Sequence, residues 1–181
     1  MAVAYQPGLD AQHTRMVEQL FVKHHDRVLR AAYRITGRMA DAEDVAQAVF
    51  LRLLHGSHER IENPASYLYR AAIHGALDLL RRRQADASVP LETASEATNA
   101  NNRGSADETV AVAEIRARLR QALTCLSPRG AEMFVLRYLE DHTNREIAQL
   151  MNTSQAVVAV VLHQARAKVK KHFQAFQRGK L

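Results

Sequence analysis

The sequence predicts an all-α fold: two small helical domains joined by a flexible linker, the C-terminal one containing a helix-turn-helix. Three observations predict it. Apolar residues recur at helical spacing through both halves, and no alternating strand pattern appears. The 181 residues include only seven Gly, four Pro and no Trp, a composition that favours helices over sheets. One stretch, 85–108, is rich in Ser, Thr, Asn and Ala and poor in large apolar residues. It cannot bury enough surface to offset its ordering entropy. The expected boundaries are 1–84, 85–108 and 109–181.

The first block reads as three helices. His13 to Thr36 places Met16, Val17, Leu20, Phe21, Val28, Leu29, Ala32 and Ile35 near helical spacing, and Gly37 sits where a stop belongs. Asp41 is the expected cap of a second helix, with Glu43 and Asp44 in a first turn that favours negative charge. Its buried stripe is Val45, Ala46, Val49, Phe50, Leu53 and Leu54, and Gly56 ends it. Asn63-Pro64, a cap followed by proline, opens a third helix. It runs through Leu68, Ala71, Ala72, Ala76, Leu79 and Leu80 to Arg81-Arg82-Arg83.

The second block begins near Thr109, with Val112, Ile115, Leu119, Ala122 and Leu123 on one face. Ser127-Pro128 caps a helix carrying Met133, Phe134, Leu136 and Leu139. Thr143 and Glu146 form a capping box for a short helix from Asn144 to Met151. Ser154 caps a long last helix whose core stripe is Val158, Val161, Leu162, Ala165 and Val169. Short helix, tight turn and long helix are the arrangement that seats a helix in a DNA groove.

Charge is uneven along the chain. Residues 1–85 carry twelve Lys/Arg against nine Asp/Glu, 86–108 one against five, and 109–181 twelve against five, for a net charge of +6. Two basic blocks flank an acidic connector, which suits a polyanionic partner without proving one. The single Cys125 excludes an internal disulfide and a cysteine zinc site. No apolar run approaches the roughly 20 residues of a membrane span, and the first twelve residues lack the apolar core of a signal peptide. A soluble cytoplasmic protein is expected. His24, His25, His55 and His58 lack partners at ligand spacing, so no metal and no cofactor is expected. With no phosphate loop and no nucleophile–base pair, the chain does not read as an enzyme.

Three segments resemble a known family when taken in order: 41–54, 63–83 and 126–154. Together they are similar to bacterial RNA polymerase sigma factors, above all the two-domain extracytoplasmic-function (ECF) group. The likeness runs over roughly 20–175. It implies a non-enzymatic factor that binds core RNA polymerase, recognises promoter DNA and starts transcription. It implies that Asp44, Gln47, Leu51 and Arg52 face the polymerase clamp. Tyr67, Arg70, His74, Asp78, Arg81 and Arg82 would meet the minus-ten element, Tyr67 standing where the family often has Trp and His74 where it often has Asn. Arg70, His74 and Asp78 share one helix face by their spacing. Arg145, Ser154, Gln155, Ala159, Val160, His163, Gln164, Arg166 and Lys170 would meet the minus-thirty-five element. An anti-sigma factor that holds the protein inactive is a further family expectation.

The last helix departs from the pattern. Gln155-Ala-Val-Val-Ala-Val-Val-Leu162 is apolar, and the family usually has Lys and Arg where Ala159 and Val161 stand. Three readings stay open: contact with thymine methyls, docking on a protein partner, or a segment more buried than the template suggests. Two other functions also stay open: a helix-turn-helix regulator that works without polymerase, and a sigma-like interaction module with weakened DNA binding.

Overall fold

The computed structural model describes residues 7–56, 61–88 and 110–178. Three helices build the first body: α1 (Pro7–Thr36), α2 (Met39–His55) and α3 (Pro64–Ser88). Four build the second: α4 (Val110–Thr124), α5 (Pro128–Tyr138), α6 (Asn144–Leu150) and α7 (Gln155–Arg178). Among the described residues there is no strand. The first four residues assigned to the connector, 85–88, continue α3. Its remainder, 89–108, lies outside the described residues.

The first body is held by small residues interleaved with branched ones. Ala31, Ala32, Ala42, Ala46, Ala72 and Ala76 are buried beside Val28, Ile35, Leu68, Ile73 and Leu77. Alanine rows let the three helices approach closely, and each large side chain removed from water contributes about 1.5–3 kcal/mol. At Gly75 α3 passes close to α2, for a Cβ there would stand 3.1 Å from Val45. Gly37 ends α1 at φ +70°, and its N–H donates to Tyr33 O at 2.7 Å. That left-handed backbone suits glycine.

Two expectations for the helix starts are corrected. Asp41 is not the cap of α2. The helix begins at Met39, and Arg38 at the cap position makes no side-chain hydrogen bond. Asp41 is buried in the first turn, where Arg83 of α3 grips both its carboxylate oxygens. A buried carboxylate needs a charged donor more than a helix end needs this cap. The first helix also begins earlier than His13, at Pro7.

The remaining caps fall where the sequence put them. Asn63 Oδ1 accepts from Ser66 N at 3.0 Å, and Ser127 Oγ from Gly130 N at 3.2 Å. The Thr143–Glu146 capping box is complete, and its hydrogen bonds hold the Glu146 carboxyl below its ordinary range. Ser154 Oγ accepts from Val157 N at 3.3 Å.

In the second body Met133, Val135, Leu136, Ile147, Val158, Leu162 and Ala165 close a core shared by α5, α6 and α7. Two corners have positive φ, at Asp141 (55°) and Asn152 (46°). Asp and Asn tolerate that conformation better than other side chains. On the apolar face of α4, Val112 and Ile115 are exposed, while Ala122 and Leu123 are buried. The bodies touch along one seam, where α3 meets α4 and α5.

The Arg83–Asp41 pair generates a test. Arg83→Ala would leave a buried carboxylate without its donor, at a cost of about 1–3 kcal/mol. Urea unfolding should show that loss, whereas Arg82→Ala, at an exposed position, should cost less than about 0.5 kcal/mol.

Candidate nucleic-acid interface

The helix-turn-helix is α6, residues 151–154 and α7. The turn is closed by Thr153 N donating to Ala148 O at 2.9 Å and Asn152 N to Gln149 O at 3.3 Å. Val158, Leu162 and Ala165 turn inward onto α5 and α6, with Val169 half-buried behind them. By the same periodicity Ser154, Gln155, Ala156, Ala159, Val160, His163, Gln164, Arg166 and Lys170 are exposed. Arg145, at the start of α6, is exposed as well. The residues proposed for the minus-thirty-five element therefore share one accessible surface. Val160 is 57% exposed and Val157 41%, which overturns the reading of this segment as buried.

On α2, Asp44, Gln47, Leu51 and Arg52 are exposed on the face opposite Val45, Val49 and Leu53. Leu51 is 45% exposed, an apolar side chain with water on one side and a charged neighbour at Arg52.

The α3 face is different. Tyr67 is exposed at its start and Arg82 near its end, and Arg82 makes no ion pair among the described residues. Between them the charges are engaged. Arg81 donates to Asp78 at 2.9 Å. Arg70 Nε donates to Glu132 Oε1 at 2.7 Å, and His74 Nε2 lies 2.8 Å from Glu132 Oε2. Arg70 Nη1 also donates to Leu150 O at 3.0 Å, a carbonyl at the C-terminal end of α6. Arg70 and His74 keep 33% and 49% of their side chains exposed, while Glu132 keeps 3%.

Glu132 was not singled out in the sequence. A signal existed: it lies four residues before Leu136 and three before Val135, inside the apolar stripe of α5. Burial pushes its carboxyl up, but hydrogen bonds and charge from His74 and Arg70 outweigh burial and hold it below its ordinary value of 4.5.

A second polar cluster flanks the first. Arg34 donates to Glu140 Oε2 at 2.8 Å and to Leu139 O at 3.2 Å. Tyr69 OH lies 3.4 Å from His142 Nε2, and the Arg27 guanidinium sits 4.6 Å over the Tyr69 ring. Burial pushes the Tyr69 phenol up, and the neighbouring Glu140 carboxylate adds to the shift.

An exposed helix-turn-helix beside a three-helix body is the architecture of a two-domain helical protein, built like the helix-turn-helix class of DNA-binding proteins. Comparison with known proteins makes it specific. Residues 20–85 match Sigma-70 region 2, and residues 116–169 match Sigma-70 region 4. The ECF RNA polymerase sigma factor SigW of Bacillus subtilis (strain 168) is 24% identical over 156 residues, covering 82% of this chain and 83% of its own. The RNA polymerase sigma-E factor of Streptomyces coelicolor is 28% identical over 161 residues, covering 87% and 86%. A solved structure of CnrH in complex with the cytosolic domain of CnrY aligns with 92% of this chain and 96% of its own, at 22% identity and a TM-score of 0.49. The chain belongs to the RNA polymerase sigma factors, in their ECF group. It binds core RNA polymerase and directs promoter recognition. Sigma factors are non-enzymatic initiation factors. No described helix is long and apolar enough to cross a membrane.

The depressed Glu132 carboxyl makes stability depend on pH. A group whose folded value lies below its unfolded one contributes fully above the unfolded value, and that contribution fades as pH falls through the folded value. The stability gap between the wild type and Glu132→Gln should therefore be widest near neutrality. It should narrow between about pH 5 and about pH 3, read by urea unfolding at each pH.

Proposed function

We propose that this sigma factor grips the polymerase clamp with Asp44, Gln47, Leu51 and Arg52 of α2. Its α3 face (Tyr67, Arg70, His74, Asp78, Arg81 and Arg82) takes the minus-ten strand. Its outward α7 face, with Arg145, takes the minus-thirty-five element. In this reading residues 1–84 and 109–181 act as separate DNA-facing units, and 85–108 bridges them. Each unit alone binds weakly, and joining them raises the effective concentration of the second contact once the first is made. The reading places the protein in the cytoplasm, where polymerase and promoter meet.

The observation that carries it is the exposure of the α2 and α7 faces, with the two ends of the α3 face also reaching solvent, in the order that the family requires. Leu51 lies among polar neighbours on α2, Tyr67 and Arg82 flank the α3 face, and every residue assigned to the α7 reader is accessible. Strand capture has a physical basis as well. Stacking on an aromatic or guanidinium surface returns roughly 1–3 kcal/mol per base, against a few kcal/mol for each base unstacked.

The apolar reader favours a particular chemistry. Ala156, Ala159 and Val160 cannot hydrogen-bond a base edge, but they can pack on the 5-methyl of thymine. Arg166 and Lys170 in later turns are placed to hold phosphates, which position the helix without reading sequence.

Transcription with purified core polymerase and a promoter library, followed by footprinting, tests the whole reading. Template-dependent transcripts protected at two elements are expected, and the absence of both core binding and transcript defeats it. Leu51→Glu should weaken core binding by about 1–3 kcal/mol while the isolated protein keeps its fold. Replacing thymine by uracil in the protected minus-thirty-five element should weaken binding about fourfold for each methyl contacted. An unchanged affinity would remove the methyl contact from the account.

A further inference from the structure

A cavity of about 320 Å³ lies where the end of α1 faces α4 and the last turn of α5. That volume falls at the lower end of the roughly 300–1,000 Å³ that small-molecule sites occupy. None of its lining residues belongs to the α2, α3 and α7 faces assigned to polymerase and promoter. Its charge is one-sided. Arg34 of α1 and Arg116 and Arg120 of α4 line it, and among the described residues no carboxylate does. Glu140 and Leu139 O do meet Arg34, but both contacts use Nη1. A guanidinium carries five N–H donors, so Arg34 keeps capacity for a further acceptor.

The same cavity has aromatic walls. Tyr33 of α1 and Tyr138 of α5 line it. Tyr138 is 42% exposed, and Phe134 braces its ring, with centroids 4.6 Å apart. Gly37 gives one of the arginines its place, for a Cβ there would collide with the Arg120 guanidinium. Arg34 and Arg116 are exposed, so the cationic wall can be reached from solvent. Guanidinium groups match phosphate oxygens in charge and in geometry. Tyrosine rings match the face of a nucleobase. An apolar ligand would strip water from the guanidiniums and return nothing to them. A bare phosphate would leave the rings unused.

We propose that this cavity is a nucleotide site, with the phosphates held by Arg34, Arg116 and Arg120 and the base against Tyr33 and Tyr138. The ligand is a small soluble anion, distinct in kind from the polymerase and the promoter. The site stands whether or not α3 is the strand-binding face, because it shares no residue with it. Its walls come from α1 of the first body and from α4 and α5 of the second. A bound nucleotide therefore stabilises the folded chain by mass action, in proportion to its concentration relative to its Kd.

The experiment titrates the full-length protein with ATP, GTP, CTP and UTP in turn, followed by calorimetry. Pyrophosphate and adenosine serve as the two halves of the ligand. The variants are Arg116→Ala, Arg120→Ala and Tyr138→Leu. Lys170→Ala, on an exposed turn of α7, controls for the general attraction of anions to a chain of net charge +6. The wild type should bind at least one triphosphate saturably, one per chain, and more tightly than either half. Arg116→Ala and Arg120→Ala should each weaken that binding about tenfold or more, the loss expected for a hydrogen bond to a charged group. Tyr138→Leu should bring the nucleotide down to the level of pyrophosphate and leave pyrophosphate unchanged. Lys170→Ala should match the wild type. Arg116 is exposed, so its variant should keep the fold, checked by circular dichroism. Nucleotide should raise the thermal midpoint of the wild type and not that of Arg116→Ala. Absence of saturable binding by the wild type, or equal binding by the wild type and the arginine variants, overturns the site. Pyrophosphate binding as tightly as the triphosphates overturns the assignment of a nucleotide.

Discussion

A carboxylate that keeps only 3% of its side chain in water must find donors, and Glu132 finds them across a domain boundary. This one requirement sets how the two bodies dock. Both donors, Arg70 and His74, lie on α3, four residues apart on one face. The placement of α5 lets both reach the same carboxyl. That placement carries the α5–α6 corner to Arg34 and Tyr69, and the end of α6 to the second arm of Arg70. The polar contacts of the seam thus follow from satisfying a single buried acid.

The same economy separates the faces that bind partners from those that hold the fold. In the first body, alanine rows bury α1, α2 and α3 against one another, and the charged positions between those rows are left outside. Asp44, Gln47 and Arg52 are exposed because Val45, Val49 and Leu53 are not. In the second body Val158, Leu162 and Ala165 fix the rotation of α7, which leaves Ala159, Val160, His163 and Gln164 facing outward. A reader surface is in this sense the remainder of a packing solution. Its apolar character here is a property of the side chains presented, not a failure of the helix to present them.

Much of this was legible in the sequence, because the signals were local. The stripe on α7 and the caps at Asn63, Ser127, Thr143 and Ser154 depend on spacings of three or four residues, and each holds in the structure. The three short segments that resemble sigma factors were enough to indicate the family. What could not be read was long-range partnership. Asp41 has the residue type of a cap, yet Arg83, 42 residues away, claims it. Glu132 looks like a misplaced acid until Arg70, 62 residues earlier, is seen beside it. Val112 and Ile115 fall on an apolar stripe, but periodicity says which face is apolar and not whether anything covers it. Arg81, expected at the minus-ten element, is paired on its own helix with Asp78.

The central claim is that one buried acid, Glu132, sets how the two bodies dock. The most direct measurement is the distance between spin labels placed on exposed positions of the two bodies, Ala48→Cys on α2 and Lys171→Cys on α7, with Cys125→Ser removing the native thiol. The account predicts one short, narrow distance distribution in the free protein, replaced by a broad one in Glu132→Ala. A broad, long distribution in the free protein, or a narrow one that Glu132→Ala leaves unchanged, would contradict it.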